Sequence, residues 1–274
     1  MIPAAFDYQR AESLGDAVDL LTRHGDDAKL LAGGHSLLPL MKLRLATPSV
    51  LVDIGRLRDL AYITEAGGEV RIGALTRHCD LETSEVLKGL VPLLAHAAGE
   101  VGDPQVRHRG TIGGSIAHGD PASDLPAVLL ALRATLVARG PVGERTIAID
   151  DFFTGFLETV LAADELLTEI RVPVHPGAGW SFQKFNRRAQ DWAIVGVAAL
   201  VANGSTGIGL VNMGATPLRA AASEQAVGSG SSAADAAARA DEGLEPPADL
   251  NASPEFRRHL SRVLVRRALE EAGA

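Results

Sequence analysis

The chain has 274 residues, 46% of them apolar, and a formal net charge of −8. That apolar content supports one large or two small cores, and the mixed acidic and basic residues form no basic stripe of the kind nucleic-acid binding needs. The single cysteine, Cys79, excludes a [2Fe–2S] cluster on cysteine ligands and an internal disulfide, and it fits a reducing cytoplasm.

The N-terminus shows no basic region followed by an apolar run, so no signal peptide is expected. Ser13 has the placing of an N-cap, with Asp16 at the third helical position and Leu14, Ala17, Val18 and Leu21 on one face. Ala28 to Ala32 is a short apolar run ending at the first of two glycine pairs, Ala32-Gly33-Gly34-His35-Ser36-Leu37, which we call loop one. A helical turn from Ser36 or Leu37 to about Leu43 and a strand from Ser49 to Ile54 follow. This βαβ-like unit puts loop one at the carboxyl end of a strand, where α/β ligand sites lie. Glu69 to Gly73 reads as a strand. Thr76 is expected to cap a helix reaching Glu82, and Val91 to Val101 a second helix ended by Asp103-Pro104.

The second pair, loop two, is Thr111-Ile112-Gly113-Gly114-Ser115. Both loops are expected to be turns after extended segments, with glycines at φ > 0 and converging N–H groups that make an anion nest. Ser36, Thr111 and Ser115 add hydroxyls. Two nests suit two linked phosphates, hence a dinucleotide. Neither loop is a Walker A loop or G-x-G-x-x-G, and a glycine pair with a hydroxyl, taken alone, is more often a plain connection than a phosphate cradle.

Pro126 cannot lie inside a helix, so the next helix begins near Ser123 and puts Asp124 at its N-terminus, facing back toward loop two. Asp124 then either complements the helix dipole or meets a ligand. Ala134 to Arg139, Arg145 to Ile149 and Leu166 to Val172 are expected strands, with a helical turn at 150–153. Pro173 to Gly179 reads as a domain junction. Strands are expected near Trp180 to Asn186, Ile194 to Val201 and Ile208 to Gly214, then two poor helices with mobile links between Ala220 and Leu250. Ser253 and Pro254 start a last helix with Phe256, Leu260, Leu264 and Ala268 buried. The arginines around it, from Arg257 to Arg267, read as a solvated face. The longest apolar stretch, Ala193 to Ala202, is too short to span a bilayer.

His24, His78, His96, His175 and His259 are scattered without metal-ligand spacing, and His108 and His118, which bracket loop two, are expected to hydrogen-bond its backbone. With no metal set and no nucleophile elbow, the chain shows no bond-making machinery of its own, as expected where a cofactor carries the chemistry.

The segments AGGHSLLPLMKLRLATPSVLVDI and RHRGTIGGSIAHGDPASDLPAVLLAL resemble the FAD-binding subunit of the xanthine dehydrogenase family of molybdenum hydroxylases. They resemble most the medium chains of aerobic carbon monoxide dehydrogenase and of related heterocycle, nicotine and aldehyde dehydrogenases. The resemblance runs from about Pro3 to about Ala272. It implies an α+β fold, with a two-lobed FAD-binding PCMH-type (VAO-like) domain over residues 1–175 (lobes about 1–57 and 58–175). A smaller α+β domain of the CO dehydrogenase flavoprotein C-terminal type would cover 176–274. It further implies that loops one and two wrap the FAD pyrophosphate. Asp124 falls near the ribityl and ribose part, while Leu167 and Lys184 match further family positions at the cofactor. Trp192 falls in the segment the family places beside the isoalloxazine. Trp192 as an ordinary core residue and Lys184 as a solvated strand-edge lysine are the alternative readings. Ser115 stands where xanthine dehydrogenases have Asn.

By the same resemblance, this chain passes electrons from a small [2Fe–2S] subunit through FAD to an external acceptor. A large molybdopterin subunit oxidises the substrate, in a cytoplasmic dimer of heterotrimers. A stand-alone FAD oxidase of the same superfamily and a non-catalytic nucleotide-binding assembly module are the alternatives.

Overall fold

In a computed structural model, which describes residues 2–202 and 205–274, the chain is a mixed α+β protein whose described residues form three larger sheets and a two-stranded one, Phe153–Gly155 with Glu158–Thr159. The first is parallel, with Val50–Asp53 between Asp7–Arg10 and Ala28–Leu31. The helix Leu14–His24 covers it, started as expected by the Ser13 hydroxyl accepting from the Asp16 N–H at 3.1 Å. Asp16 returns a bond to the N–H of Glu12. The strand Asp7–Arg10 was not expected, because its exposed Asp-Tyr-Gln-Arg sequence carries no apolar alternation.

The second sheet is antiparallel, in the order Ile63–Ala66, Glu69–Gly73, Leu166–Pro173, Thr135–Gly140, Gly143–Ala148. Helices at 85–90, 92–99 and 124–131 build the main core against it. Thr76 is not a helix cap, because its hydroxyl exchanges bonds with the backbone N–H and C=O of Tyr62 and the helix starts at His78 behind Arg77. Asp103-Pro104 does not merely end a helix, since the Asp103 carboxylate caps a short helical turn, Pro104–Arg107.

The third sheet is antiparallel, in the order Gly179–Phe185, Val195–Ala202, Ser205–Val211, Leu218–Arg219. The helix Pro254–Ala272 packs on one side of it, capped by Ser253. Phe256 of that helix is 42% exposed, whereas Arg257 is fully buried, ion-paired with Asp249 at 2.8 Å and donating to the Ile194 carbonyl. The expected roles of these neighbours are therefore reversed. A guanidinium can be buried when a carboxylate and a carbonyl meet it, and Asp249, in the loop before the helix, has no helical spacing to Arg257 that would signal the pairing.

Between the second and third sheets runs the helix Asp124–Ala131, buried on every side. Its apolar sequence allows this. Gly207 and Gly209 make it possible, because a Cβ there would lie 2.0 Å from the Ala131 carbonyl oxygen and 1.8 Å from that of Ala127. The helix therefore rests directly on a strand. Its start at Asp124, with Ser123 before it and Pro126 in the first turn, is where the proline predicted.

Candidate cofactor cleft

Loop one leaves the parallel sheet at Leu31 and turns into the helix Leu37–Leu43. Gly34 takes φ +79°, a left-handed conformation that glycine adopts without steric cost. Among the described residues, no acceptor meets the N–H groups of Gly33, Gly34, His35 or Ser36. These consecutive donors, at the wall of a cleft of about 930 Å³, form the expected nest.

Loop two is built differently, and the expectation for it is corrected. It follows a helical turn rather than a strand, and Ile112–His118 is itself a helix with Thr111 as its N-cap. Gly113 and Gly114 are not in the left-handed region. The N–H of Ile112 goes to the Thr76 carbonyl at 3.0 Å, that of Gly113 to Ala74 at 2.8 Å and that of Ser115 to Thr111 at 3.0 Å. The N–H of Gly114 goes to the Thr111 hydroxyl oxygen at 3.1 Å. These four donors are spent inside the protein, so they make no second nest. The glycines instead permit close packing. A Cβ on Gly113 would lie 2.6 Å from that of Ala74, and one on Gly33 would lie 2.2 Å from the Arg109 carbonyl oxygen. Gly33 therefore seats loop one directly on the backbone leading into loop two.

Behind the loops, Lys184 reaches in from the strand Gly179–Phe185. Its ammonium donates to Asp124 Oδ2 at 2.7 Å and to the Glu100 carbonyl at 2.8 Å. Both side chains are buried, so Lys184 is no solvated strand-edge lysine. Burial pushes the Asp124 carboxyl up to about 6, with the Lys184 cation limiting the rise. Asp124 lines the cleft, and its Oδ1 is buried without a hydrogen-bond partner among the described residues. Buried polar atoms are nearly always satisfied, so an orphan at a cleft wall marks where a ligand donor fits.

The fold brings nearly all expected site residues to this one cleft: residues 32–37, Thr111, Gly113, Gly114, Ser115, Asp124, Leu167, Lys184 and Trp192. Ile112 is the exception, packed in the main core. Trp192 is 59% exposed at the cleft and is not a core residue. His108 meets its surroundings through its backbone carbonyl, which accepts from Arg77, and His118 lies half-buried in the cleft wall.

Sequence reasoning missed His78. It is 2% exposed beneath loop two, with Nε2 3.2 Å from the Ser115 hydroxyl oxygen. Burial, and then the charges of His35 and Arg107, lower its pKa to about 4, so its ring is neutral at pH 7. No sequence signal marked it, because its close approach to Gly110, where a Cβ would lie 2.6 Å from His78 Cδ2, is made by the fold.

These residues fit a dinucleotide. The open nest and the Ser36 and Ser115 hydroxyls suit a pyrophosphate, while the buried cation and the orphaned Asp124 oxygen suit a polar group held out of water. The cleft volume is at the upper end of the roughly 300–1,000 Å³ usual for ligand sites. Among the described residues no His, Cys, Asp and Glu cluster could hold a metal, and no helix is long and apolar enough to cross a membrane.

Comparison with known proteins agrees with this geometry. Residues 4–175 match the family described as the FAD binding domain in molybdopterin dehydrogenase, and residues 180–272 match the CO dehydrogenase flavoprotein C-terminal domain. The sequence is 44% identical to the carbon monoxide dehydrogenase medium chain of Hydrogenophaga pseudoflava, covering 100% of this chain and 99% of that one. It is 40% identical to the 6-hydroxypseudooxynicotine dehydrogenase complex subunit alpha of Paenarthrobacter nicotinovorans, covering 99% and 96%. The fold superposes with a TM-score of 0.94 on a chain of the Hydrogenophaga pseudoflava carbon monoxide dehydrogenase that lacks the Mo-pyranopterin moiety of its molybdenum cofactor. That pair is 44% identical and the match covers 99% and 98% of the chains. Quinoline 2-oxidoreductase from Pseudomonas putida 86 gives a TM-score of 0.91 at 32% identity, covering 99% and 98%.

Proposed function

The chain belongs to the FAD-binding medium subunits of the molybdopterin dehydrogenases, and from that premise we propose that it is the flavin relay of a multi-subunit molybdenum hydroxylase. Its cofactor is FAD. The observation that carries the reading is the open backbone nest of loop one in a single cleft with the buried Lys184–Asp124 pair.

When bound, FAD supplies a carrier that takes electrons one at a time and releases them in pairs. The chain's own residues orient it. The N–H groups from Gly33 to Ser36 and the hydroxyls of Ser36 and Ser115 hold the pyrophosphate. Asp124 Oδ1 accepts from a ribityl or ribose hydroxyl, with Lys184 keeping the carboxylate ionised at neutral pH. Leu167 shapes the wall, and Trp192 shields the ring from solvent at the rim. Lys184, held by Asp124 and the Glu100 carbonyl, would supply positive charge to this side of the cleft and so favour negative charge developing on a bound flavin.

The remaining parts of the reading concern partners. With one cysteine and no metal cluster among its described residues, the chain needs a small subunit bearing [2Fe–2S] clusters and a large molybdopterin subunit that oxidises the substrate. It forms with them a cytoplasmic dimer of heterotrimers and delivers electrons to an external acceptor. Within the chain we divide an FAD-binding part, residues 1–175 with lobes at about 1–57 and 58–175, from a C-terminal part, 176–274.

The test is the cofactor itself. The purified full chain should carry one flavin per chain, released by acid as free FAD. FMN, or flavin that stays with the precipitate, overturns the non-covalent dinucleotide reading. Mixed with its partners, the chain should restore electron flow to an acceptor, while alone it should oxidise no organic substrate. Turnover by the isolated chain at the rate of the complex overturns the relay reading.

A further inference from the structure

Ser115 has one hydroxyl proton and two claimants for it, the His78 ring at 3.2 Å and whatever anion occupies the cleft it lines. The outcome depends on where His78 keeps its own proton. His78 is neutral, 2% exposed and tightly held. Its backbone N–H donates to the Gly110 carbonyl at 3.1 Å, and Gly110 lies against the ring edge. Its Nδ1 is buried with no hydrogen-bond partner among the described residues.

Three protonation states can be compared. With the proton on Nδ1, a buried N–H is left stranded, and Nε2 takes the Ser115 proton. The serine then turns only lone pairs toward the cleft, where an anion would be repelled. With both nitrogens protonated, the Nδ1 donor is still stranded and an uncompensated charge is buried beside His35 and Arg107. With the proton on Nε2, no donor is stranded and Ser115 Oγ accepts from the ring. Its own hydroxyl proton is then free for the cleft.

We propose that His78, as its neutral Nε2–H tautomer, is a positioning residue that donates to Ser115 Oγ and so directs the Ser115 hydroxyl proton onto the pyrophosphate. The proposal rests on the FAD reading above. It assigns loop two a side-chain donor in place of the backbone nest it lacks. The Thr111 hydroxyl accepts from the Gly114 N–H as a helix cap, and Ser115 is the hydroxyl of this loop that a histidine ring nitrogen faces.

The experiment uses the full chain with FAD removed and added back, reading affinity by quenching of flavin fluorescence, and ring 15N chemical shifts of the FAD-free protein at neutral pH. His78→Leu should weaken FAD binding by about fivefold to tenfold, the worth of one directed hydrogen bond. His78→Gln, whose amide N–H stands in for Nε2–H, should stay within about twofold of the parent. Ser115→Ala should cost about fivefold to tenfold in the parent and Gln backgrounds and nothing further in the Leu background. The nitrogen shifts should report the Nε2–H tautomer. An Nδ1–H tautomer, unchanged affinity in His78→Leu, or additive losses overturn the proposal. If His78→Leu does not fold, the shifts and the His78→Gln, Ser115→Ala pair decide it. A parent chain that binds no FAD overturns the FAD reading as well, whereas a parent that binds FAD beside an equally competent Leu variant overturns this inference alone.

Discussion

Loop one and loop two carry the same grouping of two glycines and a hydroxyl, yet Gly34 turns at φ +79° while Gly113 and Gly114 sit inside a helix. In loop one the backbone faces the cleft with four free N–H groups. In loop two the same kinds of atoms face inward, bonded to Ala74, Thr76 and Thr111, so on the proposed reading its part falls to side chains. A glycine pair therefore indicates that something comes close. Whether that is a ligand or another part of the chain depends on what lies on the other side. For Gly33 and Gly113 it is protein backbone or a neighbouring Cβ.

The sharpest way to break this comparison is Gly33→Ala. The new methyl meets the fixed Arg109 carbonyl at 2.2 Å and can be relieved only by moving loop one off loop two. We expect a loss of about 3 kcal/mol in stability, at the upper end for forced overpacking. Flavin-to-protein ratio should fall to background and the melting temperature of the FAD-free chain should drop together.

Next in size is the acid response of the floor beneath loop two. His78 titrates near 4 when folded and near 6.5 when unfolded. As pH falls through that window, the unfolded chain takes up the proton first and stability is lost, by about 3 kcal/mol in full. The neighbouring charges are His35 and Arg107, and both act in the same direction. Asp124, raised from 3.8 to about 6, works with the opposite sign in its own window and partly masks the loss. The contribution of His78 is therefore read as a difference. Denaturant unfolding from pH 7 to pH 4 should show His78→Gln gaining on the parent, and parallel curves would remove the buried-histidine account.

A smaller contrast compares the loops directly. Gly34→Ala forces a left-handed alanine, at about 1–2 kcal/mol, into the nest itself. Gly114→Ala meets only the Thr111 hydroxyl at 2.8 Å, and helix propensity offsets part of that conflict. FAD affinity should fall at least tenfold in the first and less than fivefold in the second. Equal losses would mean that loop two holds the ligand by its backbone after all. Smallest is Thr111→Val, which removes an N-cap worth about 1 kcal/mol. It should lower the melting temperature slightly while FAD affinity changes little.

What the sequence made legible was local. Ser13, Pro126 and Ser253 located three helix starts because caps and prolines act within one turn. Loop one was legible because its geometry follows from Gly34 and its neighbours. Loop two was misread because its conformation is set by acceptors at Ala74 and Thr76, far back in the chain. His78 and Arg257 were missed for the same reason. Each is buried beside a partner supplied by tertiary structure, Ser115 for one and Asp249 for the other. The edge strand Asp7–Arg10, exposed and polar, left no hydrophobic period to detect.

The helix Asp124–Ala131 lies on the bare backbone of Gly207 and Gly209, and its first residue is paired with Lys184 across the segment boundary. One family match ends at residue 175 and the other begins at residue 180, so the ion pair and both glycine contacts join the two. The halves are therefore not interchangeable parts. A chimera that grafts the C-terminal half of a distant relative onto this N-terminal half must import a lysine and two glycines in register. A recombination event that kept each half intact but mismatched this seam would leave a protein whose cleft has three walls.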